Sequence, residues 1–240
     1  MILIIIIVVI GIAALLLGIF LLRAILGVLG MTLSETGRIN DDVFCIKERF
    51  VNTYIFKGEQ GYLMIDAGMS KRAVKTEFDK LGIDPEQVTD VLLTHADHDH
   101  INGLGLFKNA KIYMHRDEEQ MINGKNGKFP LVRFKWKFGP YTLFDSNETL
   151  TLAGLKIKVF HAPGHTPGSC SFLVGSDYLA AGDHLGYRKG KFGPVPSVFN
   201  MDTRMQETTL KALPSPETIK YVLTSHYGVF KYGKPWKELK

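Results

Sequence analysis

Residues 92–105 read LLTHADHDHINGLG, and the six positions from His95 to His100 hold three histidines and two aspartates. The apolar run VTDVLLT leads directly into this stretch, and a glycine-containing segment follows it. A solvated polar turn explains one or two such residues, but not the whole set at the end of an apolar strand. Imidazole and carboxylate groups are the ligands of catalytic zinc, iron and manganese sites. The stretch therefore predicts a set of metal ligands.

Three further apolar runs that resemble strands also end at potential ligands. LKIKVF leads into His161 and His165, DYLAAG is followed by Asp183, and IKYVLTS is followed by His226. In layered α/β proteins, sites form beyond the carboxyl ends of strands, because the loops converge there while the sheet holds them rigid. We therefore expect His95, His165, Asp183 and His226 to meet in space.

The positions of these residues depend on strands and helices that the sequence also predicts. Runs bounded by glycine, asparagine or charged residues predict strands, at Val43–Lys47, Val51–Lys57, Tyr62–Ile65, Asp90–Leu93 and Lys111–Met114. The segment KGEQG between two of these runs has the composition of a hairpin loop. Strands with helices between and after them indicate a layered α/β domain.

One helix is predicted from its cap, its apolar face and its stop signal. Ser70 is a suitable N-cap, Val74, Phe78 and Leu81 fall on one helical face, and Gly82 ends the pattern.

A second helix is predicted to begin near Thr203. Thr203 and Gln206 have the spacing of a capping box, and Leu210 and Leu213 are expected to face inward. Both helices fit the layered α/β class.

The 92–105 stretch resembles the metallo-β-lactamase superfamily, whose signature is His-x-His-x-Asp-His followed by glycine-rich backbone. VNTYIF and MIDAG resemble the opening strands of that family. APGHTPGS, AAGD and LTSHYG resemble its later ligand motifs, and together the matches cover nearly all of residues 43–230 in the family's order. The resemblance implies an αββα four-layer sandwich.

The resemblance also implies two metal ions and the residues that hold them. Site one would be held by His95, Asp97 and His165. Site two would be held by Asp99, His100 and His226, and Asp183 would bridge the two ions. Asp66 falls on a family position that supports the metal loop from behind. Zinc is the foremost prediction for the metal, with iron or manganese as alternatives.

Asp97 departs from the family pattern, because it stands where the signature has its second histidine. His98 is the alternative ligand, but its use would shift the register and spoil the spacing to Asp99 and His100. We therefore expect Asp97 to be the ligand. A carboxylate is a harder donor than imidazole, so this change favours iron or manganese relative to zinc. Glutamate at this position is a feature of the di-iron flavoprotein branch of the family.

The resemblance implies a metal-dependent hydrolase that acts on a small molecule. Hydroxide bound by two metal ions would attack an ester, thioester, lactone or amide carbonyl. Asp99 or Asp183 would orient the water, and Asp99 would pass a proton to the leaving group. Two alternatives stay open. One is a di-iron oxidoreductase, which Asp97 motivates, and the other is a non-catalytic, membrane-tethered metal-binding domain.

Other polar segments are predicted to be structural. His115, His161 and His184 are interpreted as residues that support the site or the core. The alternating segment RFKWKFGPYTLF at 133–144 is either an amphipathic strand or lid, or a lip over the metals that contacts substrate. Although the net charge is +5, the basic residues are scattered apart from this segment and YRKGKF at 187–192, so we predict no nucleic-acid partner.

The chain of 240 residues, 45% of them hydrophobic, suits one globular domain with an extra segment. Ile2–Leu22 carries no charged side chain and is long enough for a bilayer core of about 30 Å. It lacks the basic start and short apolar core of a signal peptide. We predict a membrane anchor at 1–29, a linker at 30–42 and the metallo-β-lactamase-like domain at 43–240.

The orientation of the anchor follows from the charges beside it. Positive residues favour the cytoplasmic side of a membrane, and four follow the apolar run closely: Arg23, Arg38, Lys47 and Arg49. The domain is therefore predicted to be cytoplasmic. Cys45 and Cys170 form no disulfide framework, and the oligomeric state stays open.

Overall fold

A computed structural model of the protein describes residues 1–128, 133–146, 148–215, 218–232 and 234–235. Over these residues the chain forms five α-helices, α1 to α5, at Ile2–Leu29, Lys71–Leu81, His98–Ile101, Glu119–Ile122 and Thr203–Leu210. The strands β1 to β8 are Gly37–Arg38, Val43–Glu48, Val51–Gly58, Gly61–Ile65, Val88–Leu92, Lys111–His115, Tyr141–Phe144 and Thr149–Leu152. The strands β9 to β16 are Leu155–His161, Cys170–Val174, Tyr178–Gly182, Gly186–Arg188, Lys191–Gly193, Tyr221–Thr224, Gly228–Lys231 and Lys234–Pro235.

Two mixed sheets of seven strands each make up the domain in the described part of the chain. The first follows the sequence from β1 to β7, with antiparallel pairing up to β4 and parallel pairing from β4 to β7. The second has the order β16-β15-β14-β11-β10-β9-β8, in which only β11 and β14 run parallel. β12 and β13 form a separate hairpin.

The core lies in three layers that alternate with the sheets. Between the sheets, Leu63 and Ile65 of the first pack with Phe172 of the second, all at 2% exposure or less. Val74 of α2 belongs to the cluster on the outer face of the first sheet, and Leu210 of α5 packs against the cluster on the outer face of the second. Helix, sheet, sheet and helix therefore succeed one another, and the predicted αββα sandwich is confirmed.

The first predicted helix is confirmed in detail. The Ser70 side chain accepts a hydrogen bond from the Ala73 backbone N–H, and Val74 and Phe78 are buried. Gly82 ends the helix at φ 68°, a left-handed conformation that glycine adopts without steric cost.

The capping prediction for the second helix is wrong. Asp202, not Thr203, is the N-cap of α5, and its side chain accepts from the Met205 N–H. Gln206 is not part of a capping box, because it is fully buried and its Nε2 donates to the Asp183 carbonyl oxygen. Leu213 lies beyond the end of the helix, in a turn.

The N-terminal helix α1 is long and apolar enough to cross a membrane, and its side chains are exposed along most of its length. Gly27 is its buried residue: a Cβ there would lie 2.6 Å from Cε2 of Phe199, so a larger residue would displace the Phe199 ring. The segment predicted as a linker, 30–42, contacts the domain, since β1 pairs with β2 and the Thr32 N–H donates to the His226 carbonyl. The domain boundaries themselves stay a prediction.

Candidate metal centre

The loop that carries the 92–105 motif is held by Asp66, which follows β4. Oδ1 of Asp66 accepts from the Thr94 N–H and Oδ2 from the Thr94 hydroxyl, both at 2.8 Å. Oδ2 also lies 2.8 Å from Nδ1 of His100. This contact occupies Nδ1 and leaves Nε2 of His100 directed at the centre, as the support of a metal ligand requires.

The three residues predicted for site one lie together where β5 and β9 end. Nε2 of His165 is 3.1 Å from Oδ2 of Asp97, and Nε2 of His95 is 3.5 Å from the same oxygen. One ligand atom from each residue falls within 4.8 Å of the others. The spacing is that of groups arranged around one cation.

The residues predicted for site two form a similar group beside the first. Oδ2 of Asp99 lies 3.7 Å from Nε2 of His100 and 3.5 Å from Nε2 of His226. Nδ1 of His226 lies 2.6 Å from the Phe50 carbonyl oxygen, which leaves Nε2 free to face the centre.

Asp183, directly after β11, lies between the two groups. Its Oδ2 is 3.3 Å from Nε2 of His165 on one side and 3.1 Å from Nε2 of His226 on the other. Its Oδ1 is 3.5 Å from Nε2 of His100. The structure thus brings together all seven residues predicted as ligands, with Asp183 in the bridging position.

Three buried atoms test whether this residue set fits metal ions. Nε2 of His95, Nε2 of His100 and Oδ1 of Asp183 have no hydrogen-bond partner among the described residues. Because buried polar atoms are nearly always paired, such convergent donors need a ligand. Burial disfavours the charged form of His100, yet Asp66, Asp99 and Asp183 outweigh it and raise the pKa to about 10. The centre therefore favours positive charge, and the residues fit divalent cations.

Lys128 is a member of the centre that the sequence analysis missed. Its Nζ contacts Oδ2 of Asp97 and lies 2.7 Å from Nε2 of His165. Burial alone would raise the pKa of Asp97, but the Lys128 ammonium and the hydrogen bond with His165 hold it well below 3.8. A cation in site one would compete with this ammonium for the same two residues, whereas the described residues around site two include no such competitor.

The alternative ligand His98 faces away from the histidines of the centre. Its ring makes edge contacts with Phe134 and Trp136, at centroid distances of 4.7 and 4.5 Å. The geometry thus favours Asp97 as the ligand. These two aromatic rings, together with Asp97 and Lys128, line a small cavity of about 210 Å³. The 133–138 segment, which carries both rings, therefore lies beside the centre.

Of the other three histidines, His115 and His161 have hydrogen-bond partners at both ring nitrogens, whereas Nδ1 of the buried His184 has none among the described residues. His115 accepts from the Asp117 N–H at Nδ1, and Ser146 joins its Nε2 to Nδ1 of His161 at 3.0 Å on each side. Nε2 of His161 lies 3.1 Å from the Pro167 carbonyl oxygen. Although His115, Asp117 and His161 cluster, the histidine nitrogens are already hydrogen-bonded. His184 is buried, and its Nε2 lies near the Thr209 hydroxyl.

Glu118 is a second residue that the sequence analysis missed, and it joins two ligand loops. Its buried carboxylate accepts from the Ala96 N–H at 2.8 Å, the Thr166 hydroxyl at 2.7 Å and the Gly168 N–H at 2.9 Å. Ala96 is next to His95 and Thr166 is next to His165. One side chain therefore fixes the relative position of two site-one ligands.

Glu118→Ala is expected to lower the free energy of unfolding by about 3 kcal/mol, because it leaves buried donors without partners. Chemical denaturation of the metal-free protein measures the loss. Glu119→Ala is the matched control: it removes one hydrogen bond from Tyr141 and is expected to cost about 1 kcal/mol. Equal losses in the two variants would contradict the role given to Glu118.

Gly103 explains why glycines follow the motif. A Cβ at Gly103 would lie 1.9 Å from the Ala67 carbonyl oxygen, and the Gly103 N–H donates to the Gly68 carbonyl at 3.0 Å. A side chain here would push the motif away from the loop that carries Asp66. Close backbone approach is thus part of how the ligands are positioned.

Gly103→Ala is expected to lower the free energy of unfolding by at least about 2 kcal/mol, through this clash. At Gly105 a Cβ would meet only Cδ of Lys71, at 3.9 Å. Gly105→Ala is therefore expected to change stability by less than about 1 kcal/mol. Thermal unfolding of both variants measures the difference, and a Gly103→Ala protein as stable as the control would refute the explanation.

Comparison with protein families supplies the identification. The family model described as the metallo-β-lactamase superfamily matches residues 46–226, which include every proposed ligand. The chain belongs to the metallo-β-lactamase superfamily. The predictions of the family and of the fold are confirmed.

Individual relatives within the superfamily are distant. A probable metallo-hydrolase of Methanocaldococcus jannaschii is 27% identical over 62% of this chain and 62% of its own length. An N-acyl homoserine lactonase of a Bacillus species is 24% identical over 50% of this chain and 56% of its own length. The chain thus spans somewhat more than half of these two relatives.

A solved structure shows the same fold. A subclass B3 metallo-β-lactamase isolated from a soil metagenome library has a TM-score of 0.63 with this chain, at 15% identity. The match covers 81% of this chain and 80% of that one. The likeness concerns the superfamily sandwich alone.

Proposed function

We propose that this chain is a metal-dependent hydrolase that cleaves an ester, thioester, lactone or amide bond with the help of two divalent cations. The observation that carries the proposal is the convergence of three buried, unpartnered donor atoms, on His95, His100 and Asp183, in one centre. The lactonase among the relatives supports acyl transfer to water as the reaction class. Zinc is the proposed metal, with iron or manganese as alternatives.

His95, Asp97 and His165 would hold the first cation, Asp99, His100 and His226 the second, and Asp183 both. Bound cations would supply Lewis acidity and lower the pKa of water toward ~7. The protein's own part is to orient the reactants. Asp99, whose side chain faces both His100 and His226, is placed to accept a proton from the attacking water and deliver it to the leaving group. Asp66 and the Phe50 carbonyl fix the imidazoles beforehand.

Asp97 favours one alternative, a di-iron oxidoreductase. A carboxylate is a harder ligand than imidazole and is therefore better suited to iron. The metal content of protein purified without added metal distinguishes the two functions. Two iron ions per chain, together with NADH-linked reduction of oxygen, would replace the hydrolase proposal. If the chain is a non-catalytic metal-binding domain, the purified protein is expected to contain metal but to show no turnover.

We also propose that α1 is a single-pass membrane anchor with the domain on the cytoplasmic side. Its length, its apolar composition and its exposed side chains support the anchor, and the positive residues that follow the apolar run support the cytoplasmic side. Alkaline extraction of membranes is expected to leave the full chain in the pellet, and protease added to sealed right-side-out cells is expected to spare the domain. Release of a soluble, shortened chain would identify a cleaved signal sequence instead.

The full chain in detergent, supplied in turn with Zn²⁺, Mn²⁺ and Fe²⁺, is to be assayed against esters, thioesters, lactones, β-lactams, amides and phosphodiesters. We expect acyl substrates to be cleaved in a metal-dependent reaction that a chelator abolishes and added metal restores. Cleavage of phosphodiesters alone, or hydrolysis that chelation leaves unchanged, would contradict the proposal.

A further inference from the structure

The membrane helix forms part of the wall of the catalytic cavity. A cavity of about 250 Å³ opens onto Asp97, Asp99, His165, Asp183 and His226. The rest of its lining is largely apolar and includes Val28 and Met31 at the end of α1, Phe50 between β2 and β3, and Val195, Pro196 and Phe199 before α5. A substrate bound in this cavity would therefore lie against the end of α1.

The end of α1 is fixed to the domain at this point. Gly27 packs directly on Phe199, and the Thr32 N–H donates to the carbonyl of His226 at 3.0 Å. The segment that directly follows the helix thus shares a backbone hydrogen bond with the loop that carries His226. Because these two contacts hold the end of α1 against the domain, the Val28 side chain lines the cavity.

The depth of the cavity mouth in a membrane follows from the length of the helix. Ile2–Leu22 spans roughly 31 Å at about 1.5 Å per residue, which matches a hydrocarbon core of about 30 Å. Arg23, the first charge, then marks the edge of that core. Val28 lies five positions further, roughly 8 Å along the axis, so the mouth lies among the lipid headgroups.

Exposed basic residues beside the end of α1 agree with this depth. The β12–β13 hairpin carries Arg188, Lys189 and Lys191, all exposed. A Cβ at Gly30 would lie 3.3 Å from Nη2 of Arg188, which places that guanidinium against the chain leaving the helix. Such a basic cluster near the bilayer is attracted to anionic headgroups.

From these observations we propose that the substrate is an interfacial acyl lipid, an ester, thioester or amide whose hydrocarbon chain enters from the bilayer between α1 and the 195–199 segment. This inference rests on the proposed function and the proposed membrane placement. The carbonyl would reach the metal ligands while the chain stays against Val28, Met31 and Phe199. The cavity is slightly smaller than the range of about 300–1,000 Å³ for drug-sized ligands, so a slender chain suits it better than a bulky ring system.

The test uses the full chain in phosphatidylcholine vesicles with a dodecanoic acid that carries a terminal photoreactive diazirine. We expect the label on the 195–199 segment, which belongs to the domain and not to the lipid-facing helix. Val28→Trp, at a position 45% exposed, would narrow the entrance and reduce that labelling at least about tenfold, since each buried methylene is worth roughly fourfold in affinity.

Leu26→Trp is the matched control, because Leu26 is 52% exposed and lies about 200° around the helix from Val28. In this variant, labelling of the 195–199 segment is expected to stay within about twofold of the wild type. Label on α1 alone, or equal labelling in the two variants, would overturn the lipid proposal.

Hydrolysis of dodecanoyl and acetyl thioesters, measured in parallel, tests the proposed function separately. Labelling of 195–199 without hydrolysis of either thioester would reject the hydrolase and keep the acyl-binding site. Hydrolysis of both at equal kcat/KM, with no label on 195–199, would reject the lipid substrate and keep the hydrolase.

Discussion

Asp183→Ala is expected to give a folded protein that binds divalent metal at least about 100-fold more weakly and has no measurable metal-dependent turnover. Asp183 faces ligands of both sites, since its carboxylate lies within 3.5 Å of His100, His165 and His226. Loss of an outer partner of a ligand typically costs 10–100-fold in affinity or activity, so loss of the shared carboxylate should cost more. Chelator competition measures the affinity, and circular dichroism checks the fold.

His161→Ala is the control for this prediction. His161 belongs to the separate group with His115 and Asp117, and its nitrogens are hydrogen-bonded within the protein. The His161 variant is expected to keep the metal content of the wild type. If Asp183→Ala kept its metal and its turnover while folding normally, the non-catalytic scaffold would be the better interpretation.

Lys128→Met is expected to strengthen binding of the weaker metal equivalent at least about tenfold, while the tighter equivalent changes little. The Lys128 ammonium contacts Asp97 and His165, two of the three residues proposed as ligands of site one. Two like charges about 4 Å apart repel by about 4 kcal/mol at an effective dielectric constant of 20, so a tenfold gain is a conservative expectation. Isothermal titration of the metal-free protein with Zn²⁺ resolves the two steps.

The control is Lys125→Met, which removes the same charge from an exposed position on the same loop. It is expected to leave both binding steps within about twofold of the wild type. Identical titrations of the wild type and the Lys128 variant would show that the ammonium does not compete with a cation in site one.

The sequence by itself determined the fold family and predicted which residues converge. His95, Asp183 and His226 each follow a strand within three residues, so a short loop carries each of them to the same edge of the sandwich. That regularity made the convergence predictable. The α2 helix was equally predictable, because its cap, its apolar face and its terminal Gly82 depend only on residues that are close together in the sequence.

Only the tertiary structure decided which residues surround those ligands. Lys128 lies 31 positions from Asp97 and 37 from His165, and Glu118 is 48 and 50 positions from Thr166 and Gly168. No spacing rule connects them, since each pairing depends on how separate loops pack. The same holds for Val28, because helix length predicts a membrane span, whereas the packing of Gly27 on Phe199 decides that the helix ends at the cavity of the candidate metal centre.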